Sequence, residues 1–286
     1  MKGDMDTTGG GEKKYRLHIS PGKTEANYFR DIWRYRELFM FLVWRDVLVR
    51  YKQTVIGVLW SVLRPLITMI IFTILFSRLA NLPSNGAPYG IMVFAGILPW
   101  QFFSNALSDS GNSLISNSSL ISKVYFPRVI IPASAVIVSL IDFLLSFVIM
   151  LVIMVFWYSF IPPLTIFLII PFLILVFVLS LGLGFLVSAL TVKYRDFRYI
   201  VPFIVQFGLY VSPVGFMSSI VPEKWRLLYS INPIVGVIDG FRWALLGASQ
   251  NLWWPGVAVS VAVSVIFFAL GFSYFRSTEK VFADVI

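Results

Sequence analysis

Fifty consecutive residues, Phe143 to Val192, contain no Lys, Arg, Asp, Glu or His. An α-helix rises about 1.5 Å per residue, so a hydrocarbon layer ~30 Å thick takes about 20 residues per crossing. The run therefore holds two crossings. Its middle, Trp157-Tyr158-Ser159-Phe160-Ile161-Pro162-Pro163, cannot continue as a helix through paired prolines, and its aromatic residues suit a membrane–water boundary. The stretch reads as two transmembrane helices joined by a very short turn.

The remainder of the chain agrees. Of 286 residues 58% are hydrophobic and 13% charged, a composition of polytopic membrane proteins. The formal charge of +9 is not read as a nucleic-acid footprint, because the basic residues lie between apolar spans. Cysteine is absent, which excludes disulfides, thiolate metal sites and cysteine nucleophiles. The single histidine, His18, lies in a polar tail and is assigned no role.

Residues 1–27 are expected to form a disordered cytoplasmic tail. Within it, Gly22-Lys23-Thr24 resembles the end of a phosphate-binding loop, but the required glycine five places earlier is Leu17. Any ATP that drives this protein is therefore bound by another polypeptide. Residues 28–53 are expected to form an imperfectly amphipathic helix lying along the membrane surface, with Arg30, Arg34, Glu37, Arg45 and Lys52 on one side and Phe29, Ile32, Trp33, Leu38, Phe39, Leu42 and Val43 mostly elsewhere.

Six crossings are expected between residues 54 and 275: Ile56 to Leu79, Tyr89 to Leu107, Ile131 to Trp157, Leu164 to Leu190, Ile200 to Met217, and Trp254 to Tyr274. Only thirteen uncharged residues separate Arg64 from Arg78, so the first helix must extend past Arg64. Gly96 and Pro99 predict a kink or break in the second. Residues 109–129 read as a polar loop, and the Pro- and Gly-rich stretch from Val221 to Trp243 as short helices dipping into the outer face. A tail, residues 276–286, closes the chain. Nineteen of the 23 Lys and Arg fall on one side of this layout and four on the other, which places both termini in the cytoplasm.

Membrane enzymes bring carboxylates, histidines or metal ligands to one face. No such cluster is visible, so neither a catalytic set nor a metal site is expected. Asp142 is the one acidic residue within an expected span, and an intramembrane carboxylate is a functional candidate by default. It also reads as a hydrogen-bonded group that holds helices together, with Arg64 as partner if the first and third helices touch. Aromatic residues make up 17% of the chain. Phe72, Phe76, Trp100, Phe102, Phe103, Phe203, Phe207 and Tyr210 are candidates for lining a conduit in which sugar rings slide on aromatic faces. Placement against lipid or in the core is the other reading.

Several motifs then carry a resemblance. They are Arg50-Tyr51-Lys52-Gln53-Thr54-Val55-Ile56-Gly57-Val58-Leu59-Trp60 leading to Arg64-Pro65, Gly96-Ile97-Leu98-Pro99-Trp100, Asn117 to Pro132 with Phe126-Pro127-Arg128, and Tyr210 to Pro213 with Asn232-Pro233. In order and spacing they resemble the permease subunit of ABC-2 type polysaccharide exporters, most of all the O-antigen (Wzm-type) permeases, with capsule and teichoic acid permeases as relatives. Arg242 fits the wider pattern and Gly236 departs from it.

The resemblance implies an all-α membrane protein of six transmembrane helices, with an N-terminal interfacial helix and short periplasmic-side helices between spans five and six. It implies a homodimeric channel in the bacterial inner membrane that moves undecaprenyl-diphosphate-linked polysaccharide. Two copies of a separate ATPase subunit would hold ATP and Mg, leaving no cofactor in this chain. Asn117, Leu120, Ile121 and Lys123 would form the coupling helix that meets the ATPase, with Arg195 adding a second contact. Arg50, Lys52 and Arg64 would attract the lipid diphosphate at the entrance, although positive-inside placement explains them equally. Two other classes fit the residues: a polytopic enzyme acting on lipid-linked sugars, and an ABC-2 permease for small molecules.

Overall fold

The computed structural model describes residues 28–52, 57–84, 86–247 and 252–282. The expected disordered tail, residues 1–27, lies outside them. Among the described residues the chain is helical and contains no strand. It forms α1 (Tyr28–Arg34), α2 (Arg36–Lys52), α3 (Gly57–Phe72), α4 (Tyr89–Ser116), α5 (Ser118–Lys123), α6 (Ile130–Phe156), α7 (Ile169–Lys193), α8 (Phe197–Val211), α9 (Glu223–Tyr229), α10 (Pro233–Leu246) and α11 (Trp254–Thr278). A π-helical turn, Thr73–Leu79, prolongs α3, and a 3₁₀ turn, Leu164–Leu168, leads into α7.

Four helical segments are long and apolar enough to cross a membrane: Tyr89–Ser116, Ile130–Phe156, Leu164–Lys193 and Trp254–Thr278. The first is the centre of the fold, since 89% of its most apolar stretch is buried against protein, compared with 22% for the last. α6 and α7 pack on α4, and α11 packs on α7. The α7–α11 contact is a backbone approach. A Cβ on Gly271 would fall 1.9 Å from the Gly182 carbonyl oxygen, and one on Gly182 would fall 2.4 Å from Phe268 Cα. Small residues replace a hydrophobic driving force between helices in lipid, because dispersion grows as backbones close. The opposite faces of α6 and α11 expose Val148, Val152, Val265 and Leu270, which suits hydrocarbon.

The fifty-residue uncharged run folds as expected into α6, a turn and α7. Ser159 takes φ 50°, and Pro162-Pro163 close the turn before the helix resumes. Elsewhere the boundaries move. Gly96 and Pro99 do not break α4, which is one helix of 28 residues. Nor is 109–129 a loop throughout: α4 continues to Ser116, its small polar side chains bonding back to its own carbonyls (Asn112 to Ser108, Ser113 to Ser110, Ser116 to Asn112). The fifth helix ends at Val211 rather than Met217. Pro213 drives Ser212 out of the helical region, to ψ 151°. With 15 residues, α8 is ~22 Å long, short of a ~30 Å core. The C-terminal tail expected from residue 276 begins as helix, since α11 runs to Thr278.

The surface helix expected over 28–53 is two helices with a break at Tyr35, and α2 is not cleanly two-faced. Phe29, Trp33, Met40, Phe41 and Trp44 are exposed among its charges, while Leu42 and Val43 are buried against the bundle. The two ends of the described chain meet. Tyr28 Oη donates to Glu279 Oε2 at 2.9 Å, Arg276 stacks its guanidinium over the Tyr28 ring at 4.8 Å, and Phe282 is buried against Phe275. Both ends therefore lie at one end of the bundle, and the number of crossings between them is even.

Candidate functional site

The end of the bundle where Tyr28 meets Glu279 is held by charged side chains. α2 descends antiparallel to α4. Arg45 Nη2 donates to Asn117 Oδ1 at 2.9 Å near the end of α4, and Arg50 Nη2 donates to Asp109 Oδ2 at 2.7 Å, about two turns deeper. The second arm of the Arg50 guanidinium, Nη1, donates to Asp142 on α6, and Tyr51 Oη donates to the other oxygen of the same carboxylate. Ser139, also on α6, donates to Asp109 at 3.3 Å. One guanidinium thus joins three helices through its rigid fork.

This corrects the pairing expected for Asp142. Its partners are Arg50 and Tyr51, and Arg64 is exposed on α3. It also moves Asp142 toward the membrane boundary. Asp109, joined to it through Arg50, stands 20 residues from the start of α4 at Tyr89, or ~30 Å, so the cluster lies near the inner limit of the hydrocarbon. No sequence signal ties Arg50 to Asp142. Only the descent of α2 into the bundle brings the two together.

Between α2, α4 and α6 lies a cleft of 430 Å³ lined by Arg45, Asp46, Arg50, Asp109, Asn112 and Ser116, with an apolar floor that includes Ile131, Ala135 and Val138. At its rim α5 forms a single short helix, Ser118–Lys123. Ile121 is buried under it, Leu120 is half-buried and Lys123 exposed. Arg195 is exposed on the turn between α7 and α8. The following segment is fixed by the chain's end. Glu279 Oε1 accepts from the Arg128 amide at 2.6 Å, and the Arg128 guanidinium returns to the Glu279 carbonyl. Burial pushes the Glu279 carboxyl above its ordinary value, against the Arg128 amide and Tyr28 hydroxyl that favour its charged form.

At the opposite end, Arg242 of α10 is buried at 2% exposure. Its Nε donates to the Met92 carbonyl at 3.1 Å, Nη1 to Phe216 at 2.8 Å and Nη2 to Val214 at 2.8 Å. Tyr89 donates to the Gly215 carbonyl at 2.7 Å and Tyr229 to Val211 at 2.8 Å. Backbone freed from a helix inside a membrane protein needs such partners, since no bulk water replaces them. The expected interruption at Gly96 has its explanation here: a Cβ on Gly96 would lie 2.9 Å from Arg242 Nη2. Gly96 accommodates the guanidinium. The sequence marked Arg242 as fitting the wider family pattern but did not show its carbonyl partners.

The aromatic candidates separate into two groups. Trp100, Phe102 and Phe103 are buried at 6%, 1% and 8%, with Phe102 packed among Phe143 and Phe177. Phe203, Phe207 and Tyr210 are exposed along one face of α8 at 58%, 55% and 64%, the first two with ring centroids 4.3 Å apart. Phe72 and Phe76 meet edge to face at 5.4 Å beside Gly215, near the Arg242 clamp. Of the basic entrance candidates, Lys52 and Arg64 are exposed and Arg50 is held between two carboxylates. Among the described residues, no group of three His, Cys, Asp or Glu is placed to hold a metal ion.

The sequence that builds this fold has known relatives. Residues 37–246 match the family model described as "ABC-2 type transporter". The chain is similar to an O-antigen export system permease protein of Klebsiella pneumoniae, 27% identical over 251 residues that cover 87% of this chain and 95% of the relative. It is also similar to an O-antigen export system permease protein of Myxococcus xanthus, 28% identical over 267 residues that cover 90% and 98%. The matched region runs from the helix that carries Arg50, through the three long spans α4, α6 and α7 with their charged lock, to the Arg242 clamp on α10, and on that match the chain belongs to the ABC-2 type transporter family.

Proposed function

We propose that this chain is the transmembrane subunit of an ATP-driven exporter that carries undecaprenyl-diphosphate-linked polysaccharide of the O-antigen kind across the bacterial inner membrane. The similarity to two O-antigen export permeases over nearly their whole length carries the reading. Two copies enclose the channel. Each contributes six crossings, α3 with its π-helical extension, and α8 together with the non-helical segment after it that Arg242 holds, joining the four longer segments, an even number that agrees with the meeting of the two ends of the described chain. The basic end faces the cytoplasm by the positive-inside rule. There α5, with Lys123 outward, Leu120 half-buried at its edge and Asn117 tied to Arg45, receives a separate ATPase subunit that binds ATP and Mg, and Arg195 adds a contact beside it. α9 and α10 form the periplasmic closure.

In this mechanism closure of the ATPase pair pushes α5. The push passes through Asn117–Arg45 into α2, and through Arg50 into α4 and α6 together, so the inner ends of the spans move as a unit. The exposed face Phe203–Phe207–Tyr210 of α8 offers the passing glycan a series of rings. Lys52 and Arg64 are the exposed cations left to meet the lipid diphosphate. Deleting the gene and assaying lipid-linked polysaccharide on each side of the membrane tests the assignment. Accumulation inside the cell, reversed by the intact gene, is expected. Unchanged surface polysaccharide overturns it.

A further inference from the structure

α4 carries a row of uncharged hydrogen-bonding side chains: Gln101, Asn105, Ser108, Asn112 and Ser116, spaced four, three, four and four residues apart and so on one helical face. The row is ~22 Å long. Gln101, Asn105 and Ser108 are partly exposed, and Asn112 and Ser116 are exposed. Amides on a spanning helix do not face hydrocarbon without cost; they face protein or a water-filled passage.

Two further observations select a ligand. The lower end of the row, Asn112 and Ser116, opens into the 430 Å³ cleft. The charges of that cleft are already matched, Arg50 with Asp109 and Asp142, and Arg45 with Asp46, so it offers an anion little net attraction. It offers both donors and acceptors, as hydroxyl-rich molecules require. The upper end lies level with aromatic rings. α8 runs antiparallel to α4, with Gly215 beside Tyr89 and Gly208 against the tip of Trp100. This sets Phe207 and Phe203 at the depth of Gln101 and Asn105.

Resting on the export reading above, we propose that Gln101, Asn105, Ser108, Asn112 and Ser116 form the inner-half rail of the passage, recognising neutral sugar hydroxyls by exchangeable hydrogen bonds, with the cleft as its mouth. Uncharged partners hold each sugar weakly enough to let it go, which a moving polymer needs. The same residues leave the lipid diphosphate to cations elsewhere.

The chain has no cysteine, so single-cysteine variants report without background. Asn105→Cys, Ser108→Cys and Asn112→Cys, with Gln101→Cys and Ser116→Cys as substitutes for any that fails to assemble, are made in the full chain co-assembled with its ATPase in lipid nanodiscs. Each is labelled with a charged methanethiosulfonate reagent. Val148→Cys, on the lipid-facing side of α6, is the unlabelled control. Labelling of the row is expected, with several-fold slowing by maltoheptaose and none by inorganic pyrophosphate. A row that does not label faces protein or lipid, and the proposal falls. Labelling that maltoheptaose leaves unchanged, or that pyrophosphate slows, also overturns it. The deletion assay reads export independently, so loss of the rail leaves the exporter standing, and a chain that exports no glycan is exposed by that assay.

Discussion

Tyr28 donates a hydrogen bond to Glu279 across 251 positions of sequence, and with it the first described helix is tied to the last. Glu279 also accepts from the backbone of Arg128, which leads from α5 into α6. The carboxylate is therefore a shared anchor for the first described helix, the end of the last, and the segment beside the proposed coupling helix.

That anchor has a pH signature. Burial raises the folded-state pKa of Glu279 above the unfolded value, so its contribution to stability is complete below the unfolded pKa and is lost as pH rises through the folded one. Glu279→Gln keeps an acceptor for the Arg128 amide and reverses the Tyr28 bond, its side-chain NH₂ donating to the Tyr28 hydroxyl, without the buried charge. Its thermal unfolding temperature in detergent should equal or exceed that of the wild-type chain at pH 8, with the difference closing toward pH 4. A variant less stable at pH 8 than at pH 4, relative to wild type, refutes this sign.

Arg50 spans two carboxylates from different helices. Arg50→Ala leaves Asp142 buried without its cation and should lower stability by about 1–3 kcal/mol, discounted toward the lower figure because the guanidinium is partly exposed. Arg50→Lys, with one charged centre in place of a fork, should recover only part of the loss. Fluorescence-detected thermal melts of the three proteins measure the series.

How much of this was legible in the sequence follows from the physics of each feature. An uncharged run of fifty residues leaves few alternatives to a helical hairpin, and paired prolines mark its turn, so α6 and α7 stand as read. Pro99 was a poorer guide: proline disfavours helix locally, but around Pro99 α4 is packed against α3, α6, α7, α8 and α10, and packing overrides propensity. The same applies to Ser108 to Ser116, whose turn-favouring side chains bond back to the helix once neighbours fix it. The partners of Asp142 and Arg242 could not be read at all, since each meets residues far away along the chain. Aromatic content showed that rings were plentiful, but their direction depends on helix rotation, and Trp100, Phe102 and Phe103 turned inward.

Arg242 satisfies three carbonyls. Arg242→Lys cannot reach all three from one ammonium, and each orphaned buried carbonyl costs about 1–3 kcal/mol. Gly96→Ala should produce the same defect from the other side, because its methyl would crowd Nη2 at 2.9 Å and the Val214 carbonyl oxygen at 3.0 Å. Both variants should show accelerated proteolysis between Val211 and Glu223 in membranes, and a normal digestion pattern would count against the clamp.

The short helix α5 separates folding from docking residue by residue. Ile121 is buried and Lys123 exposed, so Ile121→Asp should lower the yield of folded chain by placing a charge in the core. Lys123→Glu with Leu120→Asp should leave insertion unchanged and lower the melting temperature less than Ile121→Asp, since Leu120 is only partly buried, while abolishing co-purification of the ATPase subunit. Recovery of an intact complex from the double variant would remove α5 from the contact.

The two aromatic groups should respond oppositely to truncation. Trp100 is buried at 6% and its tip fills the notch at Gly208, so Trp100→Ala opens a cavity and should cost about 3–5 kcal/mol. Phe203→Ala and Phe207→Ala remove rings that are more than half exposed, and should change the melting temperature little. If α8 presents these rings to a glycan, export should slow in the Phe203 and Phe207 variants at wild-type abundance, whereas the Trp100 variant should lose export only in proportion to the protein lost. Measuring exported polysaccharide per folded transporter separates the two. Equal specific export in Phe203→Ala, Phe207→Ala and wild type would assign the α8 face to lipid or to packing between copies, and would leave the passage to be lined by other side chains.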